Sequence, residues 1–295
     1  MYRLLLLALC LVCSCQSSEN TMTEEEAEVA KEELIYIASR GEGFDLYTFD
    51  LENQTESQYT KALGWEWGPQ FIAAEKVIVY NSQDTVGNFQ LRAADLRGDS
   101  VSFSLPDLPD LKVSPNGEWI LFTRKDGDVS QLKLASRENP ADSLLITPAA
   151  AYHGRAKWNA NSDQIAFISD QSGSNEVFCY QLSNKQTQRL TTNSLREKYL
   201  SWSPDGRSLA STIRGDRTEN DIVIIKLQDL SLERLTDTPI NESEIAWSPS
   251  GRYIAYHAKV DEKDDIFLLE IETGKVEKIT TGNGYHGEPE WILAE

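Results

Sequence analysis

The stretch Leu200-Ser201-Trp202-Ser203-Pro204-Asp205-Gly206-Arg207-Ser208-Leu209-Ala210 reads as a short strand, a tight turn and a second strand. Pro204 presets φ for the first corner of a type I turn, Asp205 suits the next, and Gly206 tolerates a left-handed exit. Trp202 is the large apolar body that closes the first strand. The pattern recurs at Ala246-Trp247-Ser248-Pro249-Ser250-Gly251-Arg252-Tyr253-Ile254-Ala255 and, with Val113 in the tryptophan's place, at Lys112-Val113-Ser114-Pro115-Asn116-Gly117. Looser copies are Trp67-Gly68-Pro69 and Trp158-Asn159-Ala160-Asn161, and a truncated one is Glu288-Pro289-Glu290-Trp291.

The anchors at 67, 113, 158, 202, 247 and 291 are separated by 46, 45, 44, 45 and 44 residues. A sustained period near 45 marks a repeat architecture, and strand-type residues throughout exclude helical solenoids. Four short strands per unit of this length make a propeller blade. Five units run over about 65–106, 107–147, 148–192, 193–237 and 238–282. The sixth starts in mid-blade, with strands at 34–39, 45–50 and 56–60, and takes its missing inner strand from 288–293. The expected fold is therefore all-β: a six-bladed β-propeller of four-stranded blades, the first blade split between the termini. Pairing the two ends removes an open sheet edge.

The chain has 295 residues, 40% of them hydrophobic, and a formal net charge of −19. That length is ample for a core. The acidic balance argues against nucleic acid, whose phosphates it would repel, and no basic patch reads as a dock for an anionic membrane. Arg3 and the apolar run 4–12 form a targeting segment too short to span a bilayer. Val12-Cys13-Ser14-Cys15 resembles a bacterial lipobox, which implies a signal peptide over 1–14 and lipid on Cys15; ordinary signal-peptidase cleavage near the same place is the alternative. Residues 15–33 then read as a lipid-anchored tether, with seven glutamates and one lysine over 16–33. Thr23 and Glu26 could cap a short helix at about 24–33. Cys179, between Phe178 and Tyr180, is expected to be a buried, inert thiol.

A tryptophan, Ser-Pro-Asp-Gly, an Ile-Ala-Phe-type strand (Ile165-Ala166-Phe167), an Ile-Phe-type strand (Asp265-Ile266-Phe267) and Leu/Ile-Thr at the outer strand's end (Leu190-Thr191, Leu235-Thr236) resemble the TolB-type six-bladed propeller repeat. The resemblance covers 34–295. The additional N-terminal α/β domain of TolB has only residues 16–33 opposite it here. The repeat also resembles the propellers of prolyl-oligopeptidase-like enzymes and of oligogalacturonate lyases. It implies a non-catalytic scaffold that presents a propeller face to an envelope protein, as TolB does to a peptidoglycan-associated lipoprotein. The alternative it implies is a metal-dependent carbohydrate-active enzyme of the lyase branch. Gln16 and Ser17 carry no aspartate-type retention signal, so the outer membrane is the expected location, with the protein facing the periplasm or the surface. The lipid would be the protein's one membrane contact.

No Gly-x-Ser-x-Gly elbow, P-loop, dinucleotide fingerprint or Cys-x-x-Cys pair is present. Read in register, the residues five before each anchor are Ala62, Leu108, His153, Glu197, Glu242 and His286; three before come Gly64, Asp110, Arg155, Tyr199, Glu244 and Glu288. Two of the chain's three histidines share one register, near one mouth of the central channel. One reading makes this ring a wet rim. A second has His153, Glu197, Glu242 and His286 converge on a divalent cation at the channel mouth, the one cofactor the pattern suggests. A third has a polypeptide or sugar dock there, with Trp65, Asp110, Tyr152, Arg155, Tyr199, Glu244, Tyr285 and Glu288 as its contact rim.

Overall fold

The computed structural model describes residues 31–295 except 40, 42, 62, 63, 107, 109, 128, 149, 150, 194, 215–218 and 295, with 126 and 294 as backbone only. The signal peptide, Cys15 and the tether up to residue 30 lie outside the described residues. Among those described there is no helix, and none long and apolar enough to cross a membrane.

Six antiparallel sheets follow one another along the chain. In blade 1 the order is His286–Ala294, Lys31–Ala38, Asp45–Asp50, Thr55–Gln58, so the last strand of the chain completes the first blade. Leu34 pairs with Trp291 and Ala38 with His286. Glu32 of blade 1 also accepts hydrogen bonds from the backbone N–H and the hydroxyl of Ser250, in the turn of blade 6. Strand pairing thus begins at Lys31, three residues before the expected start. The reason is local: Lys31 Nζ lies 2.6 Å from Asp50 Oδ2 and its backbone pairs with Ala294. Residues 31–33 are therefore strand, neither tether nor helix.

Blades 3 to 6 have four strands each. Blade 2 has three: Trp65–Ile72, Val77–Gln83 and Phe89–Asp95. Its outer place is held by one bridge, Ala94 to Ser100, and by the Val101 N–H on Ala93 O at 3.0 Å. Beyond it, Phe103 and Leu105 pack their side chains against the core shared with blade 3, and Pro106 has no N–H to give a ladder.

The turns behave as their residues dictate. Gly117, Gly206 and Gly251 sit at φ 74, 68 and 78°. In the copy of blade 4, Ser162 takes that place at φ 61°, and Asn159 Oδ1 accepts the N–H groups of Asp163 and Gln164 at 3.0 Å each. Ser203 Oγ donates to Asp205 at 2.6 Å and accepts Ser208 N–H at 2.9 Å. Two anchoring tryptophans join neighbouring inner strands: Trp202 Nε1 donates to Lys157 O and Trp291 Nε1 to Ala246 O, both at 3.0 Å. Blades pack face to face, as where Leu121, Leu132 and Leu134 of blade 3 meet Ile165, Phe167 and Phe178 of blade 4. Both faces are apolar, which blurs the alternation in the sequence.

One anchor is corrected. Trp158, Trp202, Trp247 and Trp291 pair with Ile165, Leu209, Ile254 and Leu34. In blade 2 the equivalent pair is Phe71 with Ile78, and Trp67 stands four residues earlier, opposite Asn81. Gly68, at φ 64°, belongs to an inner-strand bulge, and the turn is the run Ala73-Ala74-Glu75-Lys76, with Lys76 left-handed at φ 53°.

Candidate functional site at the channel mouth

In blades 1, 3, 4, 5 and 6 a threonine at the end of the outer segment ties it to the third strand of the same blade. Thr60, Thr147, Thr191, Thr236 and Thr280 accept, on Oγ1, the backbone N–H of Leu46, Leu132, Val177, Ile222 and Ile266 at 2.7–2.9 Å. Thr191 and Thr280 donate in turn to Glu176 (2.5 Å) and Asp265 (2.9 Å). A basic side chain on the outer strand closes that group: Arg189 on Glu176 at 2.8 Å, Arg234 on Asp221 at 2.6 Å, Lys278 on Asp265 at 3.1 Å. Six residues after each threonine comes a buried titratable side chain: Glu66, His153, Glu197, Glu242 and His286, at 0–1% exposure.

The shared register of His153, Glu197, Glu242 and His286 is therefore real, and it reaches blade 2 through Glu66 in place of Ala62. The structure does not bring these side chains together around a cation. Among the described residues no group of three or more His, Cys, Asp or Glu side chains is placed to hold a metal. Each has one polar atom held locally instead, while His153 Nδ1, Glu197 Oε2, Glu242 Oε2 and His286 Nε2 are buried without a hydrogen-bond partner. His153 Nε2 bonds Pro148 O at 3.1 Å and His286 Nδ1 bonds Asp264 O at 2.9 Å. Asn193 donates to Glu197 at 3.0 Å and Thr238 to Glu242 at 2.6 Å. Burial pushes the carboxyls of Glu197 and Glu242 up to about 7, and it lowers the pKa of the His153 ring. Burial likewise pushes the thiol of the buried Cys179 up to about 12, as expected of an inert cysteine.

Two residues further on, the chain turns toward the axis. The inner strands of blades 1, 2, 4, 5 and 6 each carry a β-bulge there. Asp110, Arg155, Glu244 and Glu288 take left-handed backbone at φ 50, 56, 50 and 51°. Non-glycine residues resist that conformation at a cost of roughly 1–2 kcal/mol each, and bulges of this kind re-aim side chains. With Tyr199, these four line a cavity of about 680 Å³ around the axis, together with Tyr152 at its edge and Lys112, Lys157 and Glu290 deeper in. Gly68 N–H donates to Glu288 at 2.5 Å. Glu244 accepts the Glu288 N–H at 2.8 Å and the Tyr285 hydroxyl at 3.0 Å. Burial, then the neighbouring Glu244, raises the Glu288 pKa. The Arg155 guanidinium lies 4.6 Å from the Tyr199 ring centre. Lys157 Nζ reaches Glu290 at 3.5 Å, a bridge between opposite blades 4 and 1 that crosses the cavity floor. Burial, then Lys157, lowers the Lys112 pKa.

The rim residues read from the sequence thus fall in three groups. Asp110, Tyr152, Arg155, Tyr199, Glu244 and Glu288 line one cavity, and Tyr285 buttresses Glu244 from behind. Trp65, 49% exposed, stands outside it, packed edge-on to Phe44 at 4.9 Å, with Phe44 on Tyr285 at 5.6 Å. Reading missed Glu66, Gly68, Lys112, Lys157 and Glu290. The interval from the outer-strand threonine to the buried side chain would have found Glu66 and Gly68 once Tyr59-Thr60 is read as the copy of Leu/Ile-Thr, because it stays at six residues where the spacing between tryptophans slips.

The fold and this mouth define a six-bladed propeller whose inner strands present a polar, aromatic-edged opening. The sequence matches the family described as the TolB beta propeller domain (PD40) over residues 114–291, and the chain belongs to that family. Among solved structures it is similar to TolB from Acinetobacter baumannii, at 19% identity and a TM-score of 0.74 over 89% of this chain and 67% of that one. A putative TolB from Agrobacterium tumefaciens matches at 17% identity and 0.65, over 88% of this chain and 91% of that one. An oligogalacturonate lyase in complex with manganese matches at 14% identity and 0.57, over 83% of this chain and 73% of that one. No curated protein matches by sequence.

Proposed function

We propose that this protein is a non-catalytic scaffold of the bacterial cell envelope that docks a partner protein on the mouth of its propeller. The carrying observation is the mouth itself: four charged residues held in left-handed backbone, three of them at bulges, around an aromatic-edged cavity. Such strain persists where the surrounding structure over-determines it, and it clusters at ligand-binding sites. Membership of the TolB propeller family and likeness to TolB structures support the same reading. Aromatic bodies beside polar groups are what a protein-binding rim uses.

Anchoring is part of the proposal. A lipid on Cys15 would hold the protein at the outer membrane. The first strand starts with Lys31 paired to Ala294 and ends with Ala38 paired to His286 at the mouth, so the chain joins the propeller at the end away from the mouth. Cys15→Ser is expected to move the protein from the membrane to the soluble fraction; unchanged partition would contradict the anchor.

The function is tested by immobilising the mature chain and its Tyr152→Asp variant in envelope extract, with polygalacturonate turnover measured alongside. The expected result is one envelope protein retained by the parent and lost by the variant, with no unsaturated product. Sustained product formation would overturn the scaffold in favour of a lyase.

A further inference from the structure

At the mouth end of blade 5, Arg196 and Arg214 are directly paired residues of adjacent strands. Like charges placed so are destabilising, since directly opposed Cβ atoms stand only about 4.5–5.5 Å apart. Both arginines are exposed, and neither has an ion pair among the described residues. The run Arg196-Glu197-Lys198 looks balanced in the sequence. Folding turns Glu197 inward to full burial, so only the two cations face solvent. Lys198 then stands 5.3 Å and Arg155 4.6 Å from the Tyr199 ring centre, one cation from each of two neighbouring blades. On blade 3, Arg124 and Lys125 are exposed at the same end, and Lys125 borders the cavity. Some exposed cations elsewhere on the propeller are paired, as Arg252 is with Glu270 at 2.6 Å and Lys226 with Glu233 at 2.7 Å. In a chain of net charge −19, these cations form a crescent on the mouth side of blades 3 to 5 that makes no ion pair among the described residues, with Asp110 and Asp170 as the exposed carboxylates beside it.

We propose that this crescent, centred on Arg155, Arg196, Lys198 and Arg214, recognises an acidic segment of a partner protein, with carboxylate side chains on the guanidinium groups and apolar side chains against Tyr152 and Tyr199. Arginine forks match carboxylates in two-point contact. A uniformly charged polyanion fits less well: Asp110, Glu244 and Glu288 line the same cavity, and the net charge repels it at long range. A peptide places its negative charge locally and carries apolar groups for the aromatic edge. The inference rests on the scaffold reading and names the chemistry of its partner.

The test is fluorescence anisotropy of a labelled peptide of about twelve residues, glutamates interspersed with leucine and tyrosine, on the mature full chain at about 50 mM and about 300 mM salt. Binding is expected to weaken about tenfold across that salt step, and Arg196→Gln with Arg214→Gln to weaken it a further tenfold or so at low salt. The double variant is expected to melt no lower than the parent, because it relieves a like-charge pair. Lys198→Gln alone is expected to lose part of the affinity, should the double variant fold poorly. Unchanged peptide affinity in the variants, or equal affinity for polygalacturonate of matched charge, would each overturn the proposal. Retention of an envelope protein by a parent chain that ignores the acidic peptide would overturn it as well, and would leave the scaffold itself standing.

Discussion

Glu197 and Glu242 show how a residue can be placed against its own chemistry. Each is fully buried with one oxygen held by a neighbour, and burial raises its pKa from 4.5 to about 7. The folded state therefore keeps a proton that the unfolded chain loses at lower pH. Stability contributed by the protonated form is full below the unfolded pKa and falls as pH rises toward the folded one. A shift of this size is worth on the order of 3 kcal/mol at full ionisation. Glu242→Gln is expected to stabilise the protein above pH 7 by about 1–3 kcal/mol and to flatten the decline between about pH 4.5 and 7. Urea unfolding at both ends of that interval measures it, and parallel curves for parent and variant would contradict it. His153 acts in the opposite sense: its lowered pKa favours the neutral ring, so its contribution is lost as pH falls through the ordinary histidine range.

At the scale of the element, the threonine hook joins sequence to packing. Thr236 accepts the Ile222 N–H at 2.7 Å inside the protein. Thr236→Val keeps the shape and strands that donor, which is expected to cost about 1–3 kcal/mol in chemical denaturation; a loss below about 0.5 kcal/mol would mean the hook is dispensable. These hooks explain why the outer strands were legible as Leu/Ile-Thr and why the turns were legible as Ser-Pro-x-Gly: both are local hydrogen-bond patterns that few residues satisfy. Blade 2 was misread because Trp67 followed by Gly68 imitates a turn, whereas Gly68 serves a bulge and Phe71 holds the anchor's place. The buried ring was legible as a register, yet its direction was not. Side-chain direction changes at the bulge, and a bulge leaves no residue signature when Arg155, Glu244 and Glu288 occupy the left-handed position that glycine would announce.

In the whole molecule, repeat symmetry builds the ring and departures from symmetry build the site. Blades 1 and 6 bring Glu288 and Glu244 to the mouth, blades 4 and 5 bring Arg155 and Tyr199, and blade 2 brings no charged side chain but Trp67, Pro69, Asn81 and Gly68, whose N–H serves Glu288. Lys157 and Glu290 span the floor between opposite blades, so the cavity offers a mouth at one end and an ion pair at the other. A surface so differentiated from blade to blade is suited to one orientation of one partner, and that claim is open to direct measurement. A photo-crosslinking amino acid is placed at Tyr152, on the mouth, and in parallel at Leu232, exposed on the outer strand of blade 5, and each protein is irradiated in living cells. The account predicts one discrete protein adduct from position 152 and none from position 232. Equal adducts from both positions, or none from 152 in cells that hold the protein at its normal level, would contradict it.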